Sequence, residues 1–283
     1  MTVTLAYLSV PYRVSTMPNG GTIILRSALF LLIFWIITAF AAQTLHGIPL
    51  PTPGQTFLRG IELFSGSLFL QHSIYTHLGY SLYRWALGSL IAVLIGSILG
   101  FVATSHIKAE RIILPLSAFF QPVPSLAWIP LAILLLGLGT RSTIFIIFLA
   151  GVFPIIINVV AGIKSVPSSL LRAAAMLGAS PQIIFWKVLV PGALPHTLSG
   201  LRTSLANSWR ALIAAEMVGG TDLGLGYAIL QCRWSLDYPS AFVAIFIIAL
   251  IGLIIERGVF RKIELRTIKV WGMGNQGGDQ CWS

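Results

Sequence analysis

Charged residues are scarce in this chain of 283 residues, and acidic residues are the scarcest. Only 9% of the residues are charged, whereas an average soluble domain carries about 25%. Asp and Glu together number 8 against 18 Lys and Arg, while 56% of the residues are hydrophobic. A chain of this composition would expose a large apolar surface in water. The composition therefore excludes an ordinary soluble domain and predicts an integral membrane protein.

Cysteine and histidine are also too sparse to support a disulfide framework or a metal centre. The two cysteines, Cys232 and Cys281, are expected on opposite sides of a membrane, so they cannot pair. The histidines are scattered over loops, and no two have metal-ligand spacing within one span. They are His46, His72, His77, His106 and His196. We therefore expect no bound metal, and the scattered histidines argue against a membrane-embedded enzyme.

What the chain does contain is a series of uncharged runs of helical length. Each is close to the ~20 residues that cross a bilayer as a helix. They predict an all-α, polytopic membrane helical bundle of about six spans, at residues 23–43, 78–105, 112–136, 142–163, 198–218 and 240–255. The first run is long and lacks a small-residue cleavage site, so it is predicted to be a retained span. In the second, Gly96 and Gly100 are four residues apart and would let another helix approach closely.

The net charge of +10 could indicate nucleic-acid binding, but its distribution favours a membrane. Basic residues concentrate in a few loops and in the C-terminal tail, where the positive-inside bias and anionic lipids account for them. The loops that share a side with both termini hold Arg13, Lys108, Arg111, Lys164, Arg172, Lys187, Arg257, Arg261, Lys262, Arg266 and Lys269. The opposite loops hold only Arg59, Arg141 and Arg233. We predict a multi-pass membrane protein with both termini cytoplasmic, contacting lipid and no nucleic acid.

The stretch at 165–195 lies between two spans but is not a span itself. It predicts two short helices with a break at residues 178–181, because Ser180 is a favourable N-cap and Pro181 suits the first helical turn. Pro191 and Pro195 are expected to bound the second helix. A bent, mildly amphipathic element at a membrane surface indicates a docking surface for another protein.

Two other segments are candidates for lining a pathway through the helical bundle. Four prolines interrupt the run at 112–136, and such breaks are tolerated where protein or a water-filled cavity satisfies the backbone. Its candidate lining residues are Gln121, Pro122, Pro124 and Ser125. The alternative is a kinked helix that serves only packing.

The span at 198–218 is the most polar and supplies Trp209, Arg210 and Glu216 as further pathway candidates. Arg210 could attract an anionic substrate, or it could lock the bundle through a salt bridge or a carbonyl contact. Glu216 is six residues further on, so the two side chains point to different helix faces and are not expected to pair. We expect Glu216 to shape an outer gate or to fix the loop at 219–227. Arg84, early in the second span, is expected to reach the membrane interface.

These stretches resemble the permeases of ATP-binding-cassette importers. Ala173, Ala174, Gly178 and Pro195 match the EAA loop of that family, although Arg172 stands where the family has glutamate. Flanking stretches resemble the permeases for nitrate, bicarbonate, taurine and aliphatic sulfonates. They read SLAWIPLAILLLGLG, FPIIINVVAGI, LVPGALPHTLSGLRTSLANSW, AAEMVGGTDLGLGYAI and ELRTIKVWGM. The likeness runs from about His77 to Met273.

The resemblance implies a type I ABC importer permease (MetI-like) fold and a location in a bacterial inner (plasma) membrane. It divides the chain into an N-terminal tail, first span and external segment (1–76), a permease core with five spans and the EAA loop (77–262), and a cytoplasmic tail (263–283). It implies that two permease copies form the pathway, that two cytoplasmic ATP-binding subunits dock on the EAA loops, and that a periplasmic or lipid-anchored binding protein delivers substrate. The implied ATPase-coupling residues are Ala173, Ala174, Met176, Leu177, Gly178, Ala179, Ser180 and Pro195.

No phosphate-binding loop of the Gly-x-x-x-x-Gly-Lys type occurs in this sequence, so the chain is expected to bind no cofactor. ATP and Mg would be used by the partner ATPase. The subfamily likeness favours a small anionic solute, with an aliphatic sulfonate or taurine first and nitrate or bicarbonate second. The alternatives are the same importer type carrying a thiamine precursor, and a secondary transporter or channel that needs no ATPase.

Overall fold

A computed structural model describes residues 20–46 and 50–259 of the chain. The chain divides into two compact units, residues 1–56 and 57–283. Within the described residues the regular structure is helical, apart from an isolated bridge between Phe69 and His72. The predicted C-terminal tail at 263–283 lies outside the described residues.

The first unit contains α1 (Gly20–His46), a helix of 27 residues that includes the predicted first span. The indole Nε1 of Trp35 donates a hydrogen bond to the carbonyl oxygen of Pro51 at 3.1 Å. The segment after α1 is thereby held back against the helix. The next helix, α2, covers Pro53–Phe64.

The second unit is built on three long helices. They are α3 (Ile74–Ser105), α6 (Thr140–Ser165) and α9 (Val190–Val218). Between them lie α4 (Ile107–Phe120), α5 (Ile129–Leu136), α7 (Ser168–Met176) and α8 (Pro181–Ile184), and the chain continues into α10 (Leu225–Ser235) and α11 (Tyr238–Leu253).

Small residues bring α3 and α6 into close contact. A Cβ atom at Gly96 would lie 2.9 Å from Cβ of Ile155, and one at Gly100 would lie 2.8 Å from Cβ of Val159. A substitution at either glycine would force the helices apart. Residue numbers rise together along the two helices, from the contact of Gly96 with Ile155 to that of Gly100 with Val159, so α3 and α6 run parallel. The predicted close approach at these two glycines is confirmed.

The contact between α6 and α9 depends on small residues in the same way. A Cβ at Gly151 would lie 2.6 Å from Oγ of Ser208, and one at Gly162 would lie 2.7 Å from the carbonyl oxygen of Ala193. From Gly151 to Gly162 the residue number rises along α6, whereas the contacted residue in α9 falls from Ser208 to Ala193. The two helices are therefore antiparallel. At these glycines α6 is therefore packed closely against both α3 and α9.

The number of membrane spans stays a prediction. Three helices are long and apolar enough to cross a bilayer: Ile74–Ser105, Thr140–Ser165 and Tyr238–Glu256. The break predicted within the run at 112–136 is confirmed, because the run forms two helices, α4 and α5, bent by 101° at the residues between them. Pro122 and Pro124 lack the N–H groups that would continue α4. Counted as one span, this pair raises the number of such candidates to four.

The break predicted within 165–195 is confirmed, but its predicted end is wrong. Gly178 has φ of +79° after α7, and Oγ of Ser180 accepts a hydrogen bond from the backbone N–H of Ile183. Pro191 and Pro195 do not bound the second helix, since α8 continues through a π turn at Phe185–Leu189 into α9. The wider turn accommodates Pro191, whose nitrogen cannot donate to the preceding turn, and Pro195 lies inside α9.

Cys232, on α10, is buried in an apolar cluster that includes Leu63, Phe69, Ala228 and Ala244. Burial raises the pKa of its thiol to about 12. At neutral pH the thiol is therefore protonated as well as inaccessible, and thiolate is the reactive form.

We expect maleimide to leave Cys232 unlabelled in the folded protein and to label it after denaturation. The measurement is gel-shift labelling of a variant in which Cys281 is replaced by Ser. Ser235→Cys, an exposed position on the same helix, serves as the control that should label in both states. Rapid labelling of Cys232 in the folded protein would contradict its burial.

Candidate functional sites

A cavity of about 280 Å³ lies between the α4–α5 break, α6 and α9. It brings together five residues that the sequence predicted for the pathway, from two segments far apart in the chain. They are Gln121, Pro122, Pro124, Ser125 and Arg210. The sequence reasoning missed Asn207, Trp128 and the α6 residues Phe153 and Pro154, which also line the cavity. Asn207 could have been found, because it lies one turn before Arg210 on the same face of α9.

Arg210 is the cation of this cavity. Its Nε donates to the carbonyl oxygen of Ala206 at 3.1 Å, and one terminal nitrogen donates to Oδ1 of Asn207 at 3.0 Å. Both partners belong to its own helix, so neither locks α9 to another helix. Across residues 20–46 and 50–259, no carboxylate lies within ion-pair distance of Arg210. A guanidinium has five N–H donors, so donors remain for an anion.

Trp209 and Glu216, the other two predicted pathway residues, do not line this cavity. Trp209 is 5% exposed, and its Nε1 donates to the carbonyl oxygen of Ile248 at 3.2 Å. Its ring meets Trp85 edge to face, with 5.9 Å between centroids. The side chain of Trp209 therefore extends from α9 to pack against α3 and α11, on a different face of α9 from Asn207.

Glu216 forms a buried ion pair with Arg84. Nη1 of Arg84 lies 2.9 Å from Oε1 of Glu216, and their side chains are 4% and 0% exposed. The hydroxyl group of Ser81 donates a hydrogen bond to the same carboxylate. The backbone N–H of Gly226 donates another, at 3.0 Å. Arg84 also donates to the carbonyl oxygen of Leu223. The prediction that Arg84 reaches the membrane interface is wrong, because a buried carboxylate and a loop carbonyl hold its guanidinium inside the bundle.

The network fixes the loop after α9 to α3. The backbone N–H of Leu225 donates to Oγ of Ser81 at 2.8 Å, and that of Gly224 donates to Nδ1 of His77 at 3.2 Å. A Cβ at Gly224, where φ is +135°, would collide with the Glu216 carboxyl group. Glu216 therefore fixes the loop at 219–227, as one of the two predicted alternatives stated, and it does not pair with Arg210.

The apex of the 165–195 segment, residues 176–180, is open to its surroundings. Met176 and Leu177 are 87% and 88% exposed, although both are large apolar residues. A Cβ at Gly178 would have no neighbour within 4 Å. Around this apex, Ala173 and Ser180 are exposed and Ala174 and Ala179 are half-buried. Pro195 is half-buried inside α9 and does not belong to the apex.

The aromatic residues after the apex differ in their surroundings. Phe185 meets Phe101 of α3 edge to face, with 5.2 Å between ring centroids. Trp186 is 68% exposed. Arg172, which stands at the glutamate position of the EAA loop, is exposed as well.

In the described part of the chain, no group of three His, Cys, Asp or Glu side chains could hold a metal ion.

Comparison with known proteins identifies the architecture. Residues 88–263 match the family described as "Binding-protein-dependent transport system inner membrane component". The chain is 33% identical to the taurine transport system permease protein TauC of Escherichia coli, over 84% of this chain and 86% of that protein. It is 40% identical to a putative ABC transporter permease protein of Methanocaldococcus jannaschii, over 63% of this chain. That second match spans 65% of the relative, slightly under two thirds of its length.

Among solved structures, the fold is similar to a chain of the MetNI methionine ABC transporter in an inward-facing conformation. The TM-score is 0.58 at 19% identity, and the match covers 68% of this chain and 94% of that one. This likeness confirms the predicted all-α, MetI-like fold. From the family match and the extent of its relatives, the chain belongs to the inner membrane components of binding-protein-dependent transport systems, the ABC importer permeases.

Proposed function

We propose that this chain forms the translocation pathway for a small oxyanion, with an aliphatic sulfonate such as taurine as the first candidate and nitrate or bicarbonate as the second. The observation that carries the proposal is Arg210, a guanidinium with free donors and no carboxylate partner in the described part of the chain, in a cavity beside a broken helix. An unpaired cation at membrane depth is costly and is found where it faces water or a substrate. The name of the taurine relative supports the same substrate class.

A permease needs a neutral or weakly polar surface around such a cation, so that the anion leaves again. Gln121, Ser125 and Asn207 offer amide and hydroxyl groups, Trp128 carries an indole N–H, and the prolines offer no N–H donor. One positive charge with a few uncharged donors can attract an oxyanion without holding it tightly. Selectivity between sulfonate, nitrate and bicarbonate would then lie largely with the binding protein.

We further propose that the apex at 176–180 docks in a groove of a cytoplasmic ATP-binding subunit. Exposed Met176 and Leu177 supply apolar anchors of the kind that fill a pocket on a partner. The complete importer would contain two copies of this chain, two ATP-binding subunits that use ATP and Mg, and a periplasmic or lipid-anchored binding protein. Both termini would then be cytoplasmic, on the side of the apex, as the distribution of basic residues predicts.

Uptake in liposomes tests this function. The permease, its ATP-binding subunit and its binding protein are reconstituted, and uptake of labelled taurine, nitrate, bicarbonate and a neutral thiamine precursor is compared with and without ATP. We expect ATP-dependent uptake of one anion. Uptake by the permease alone without ATP would instead identify a secondary transporter or channel, and uptake of only the neutral compound would overturn the anion assignment.

Arg210→Gln should lower anion uptake by more than about tenfold, the size of effect expected when a charged binding partner worth ~1.5–3 kcal/mol is lost. Arg210→Lys should retain part of the activity because it keeps the charge. Arg141→Gln is a matched control, since Arg141 is also exposed but does not line any cavity that Arg210 lines. Unchanged uptake in Arg210→Gln would contradict the role of Arg210.

A further inference from the structure

A second cavity, of about 440 Å³, lies along α9 beyond the first. It is bounded by Arg202, Thr203 and Trp209 of α9 and by Glu256, which follows α11. Arg210 lines both cavities. The two spaces therefore meet at the guanidinium that the proposed function assigns to the anion.

Arg202 and Arg210 occupy one face of α9. They are eight residues apart, so they lie about 12 Å from each other along the helix axis. Ala206 stands between them one turn from each, and its methyl group leaves the space between the two guanidinium groups open. An anion leaving Arg210 along this face would meet Arg202 next.

In this structure Arg202 forms an ion pair with Glu256. A terminal nitrogen of Arg202 lies 3.1 Å from Oε1 of Glu256, and the two side chains are 49% and 52% exposed. Glu256 belongs to a π turn at Ile254–Val259, an irregular turn that is frequent at functional sites. An ion pair this exposed is weak, because solvent screens it, and it can open for a competing anion.

The geometry points to Arg202 as a second anion subsite on the pathway, which Glu256 covers by pairing with it until an oxyanion takes its place. The inference rests on the proposed function, because it takes Arg210 as the preceding anion contact. The ligand class is the same, a small sulfonate or related oxyanion. Glu256 acts as a positioning residue that keeps the subsite neutral when no anion is present.

Thiol labelling next to the subsite tests the inference without requiring transport. Thr203→Cys, in a chain whose Cys281 is replaced by Ser, places a thiol on the exposed surface of the second cavity. In the intact permease–ATPase complex, the rate of its reaction with the anionic reagent sulfonatoethyl methanethiosulfonate is measured at increasing concentrations of methanesulfonate. The cationic trimethylammonioethyl reagent is the parallel probe for access alone.

We expect methanesulfonate to protect the thiol in a saturable way. Glu256→Gln should lower the concentration for half-protection by about 1.4- to 5-fold, since it removes a competing exposed ion pair. Arg202→Gln should abolish the protection, and Arg202→Lys should retain part of it. Glu62→Gln is the matched control, because Glu62 is also an exposed partner of an arginine, Arg59, outside both cavities. Protection that is equal in Arg202→Gln and the parent, or that never saturates, overturns the subsite.

Liposome uptake separates failure of this inference from failure of the proposed function. Uptake that is lost in Arg210→Gln but unchanged in Arg202→Gln would remove the second subsite and leave the proposed function intact. A parent complex that takes up no anion would overturn the proposed function, whatever the labelling shows. Reduced uptake in both arginine variants, with Glu62→Gln unaffected, is the result that supports the two together.

Discussion

Replacing Gly178 by tryptophan is expected to abolish binding of the ATP-binding subunit and ATP-dependent uptake, while the permease still inserts in the membrane. Gly178 has φ of +79° at the apex, beside Met176 and Leu177, which are almost fully exposed. A non-glycine residue in this conformation costs about 1–2 kcal/mol, and an indole would project from the surface that is proposed to enter the partner. The measurement is co-purification of the ATP-binding subunit with the variant permease, followed by uptake.

Gly137→Trp separates docking from backbone strain. Gly137 has φ of +78°, and a Cβ there would also have no neighbour within 4 Å, but it follows α5 and lies outside the apex. The two variants introduce the same side chain at a glycine with positive φ. Because ψ of Gly137 is 175°, in a region that residues other than glycine hardly adopt, backbone strain acts in this control as well. Loss of the ATP-binding subunit in both, or in neither, would contradict the assignment of residues 176–180 as the docking surface.

The second large effect is expected at the buried ion pair. Glu216→Ala should lower the free energy of unfolding by about 3–5 kcal/mol, because removing one partner leaves the other charge buried without compensation. It would also remove the acceptor of the Ser81 hydroxyl and of the Gly226 backbone N–H. Unfolding in mixed detergent micelles containing increasing SDS measures the change.

The double variant Arg84→Met/Glu216→Leu provides the test of coupling. Since neither charge remains, it should be less destabilised than the sum of the two single variants. Glu62→Gln again serves as the control, because its exposed pair with Arg59 should contribute no more than ~1 kcal/mol. A Glu216→Ala variant within ~0.5 kcal/mol of the parent, the range of an ordinary surface substitution, would contradict the buried network.

The sequence predicted the parts of the fold that depend on local pattern. Long apolar runs located α3, α6 and α11 to within a few residues, and Gly178, Ser180 and Pro181 located the break in the EAA loop. The course of the helix past Pro191 was not predictable in this way. Proline rules treat an α-helix, whereas a π turn at Phe185–Leu189 changes the hydrogen-bond spacing before Pro191 is reached.

The candidate site was predictable where one segment carried the signal by itself. Four prolines marked the α4–α5 break, and the polar composition of the span at 198–218 marked Arg210. The partner of Arg84 was not predictable from local pattern, because 132 residues separate it from Glu216. One global signal was present: Glu216 is the only acidic residue predicted within a span, so a buried arginine elsewhere was its natural counter-ion.

The first cavity has walls of unequal stiffness. On one side stand α6 and α9, where Gly151 faces the hydroxyl group of Ser208 and Gly162 faces the backbone carbonyl of Ala193, so the two helices cannot slide past each other without collision. On the other side, Pro122 and Pro124 leave the α4–α5 joint with few backbone hydrogen bonds to resist bending. A force that reaches this part of the molecule should deform the joint before it deforms the frame. The cavity would then widen or narrow as Gln121 and Ser125 move away from or toward the helix that carries Arg210.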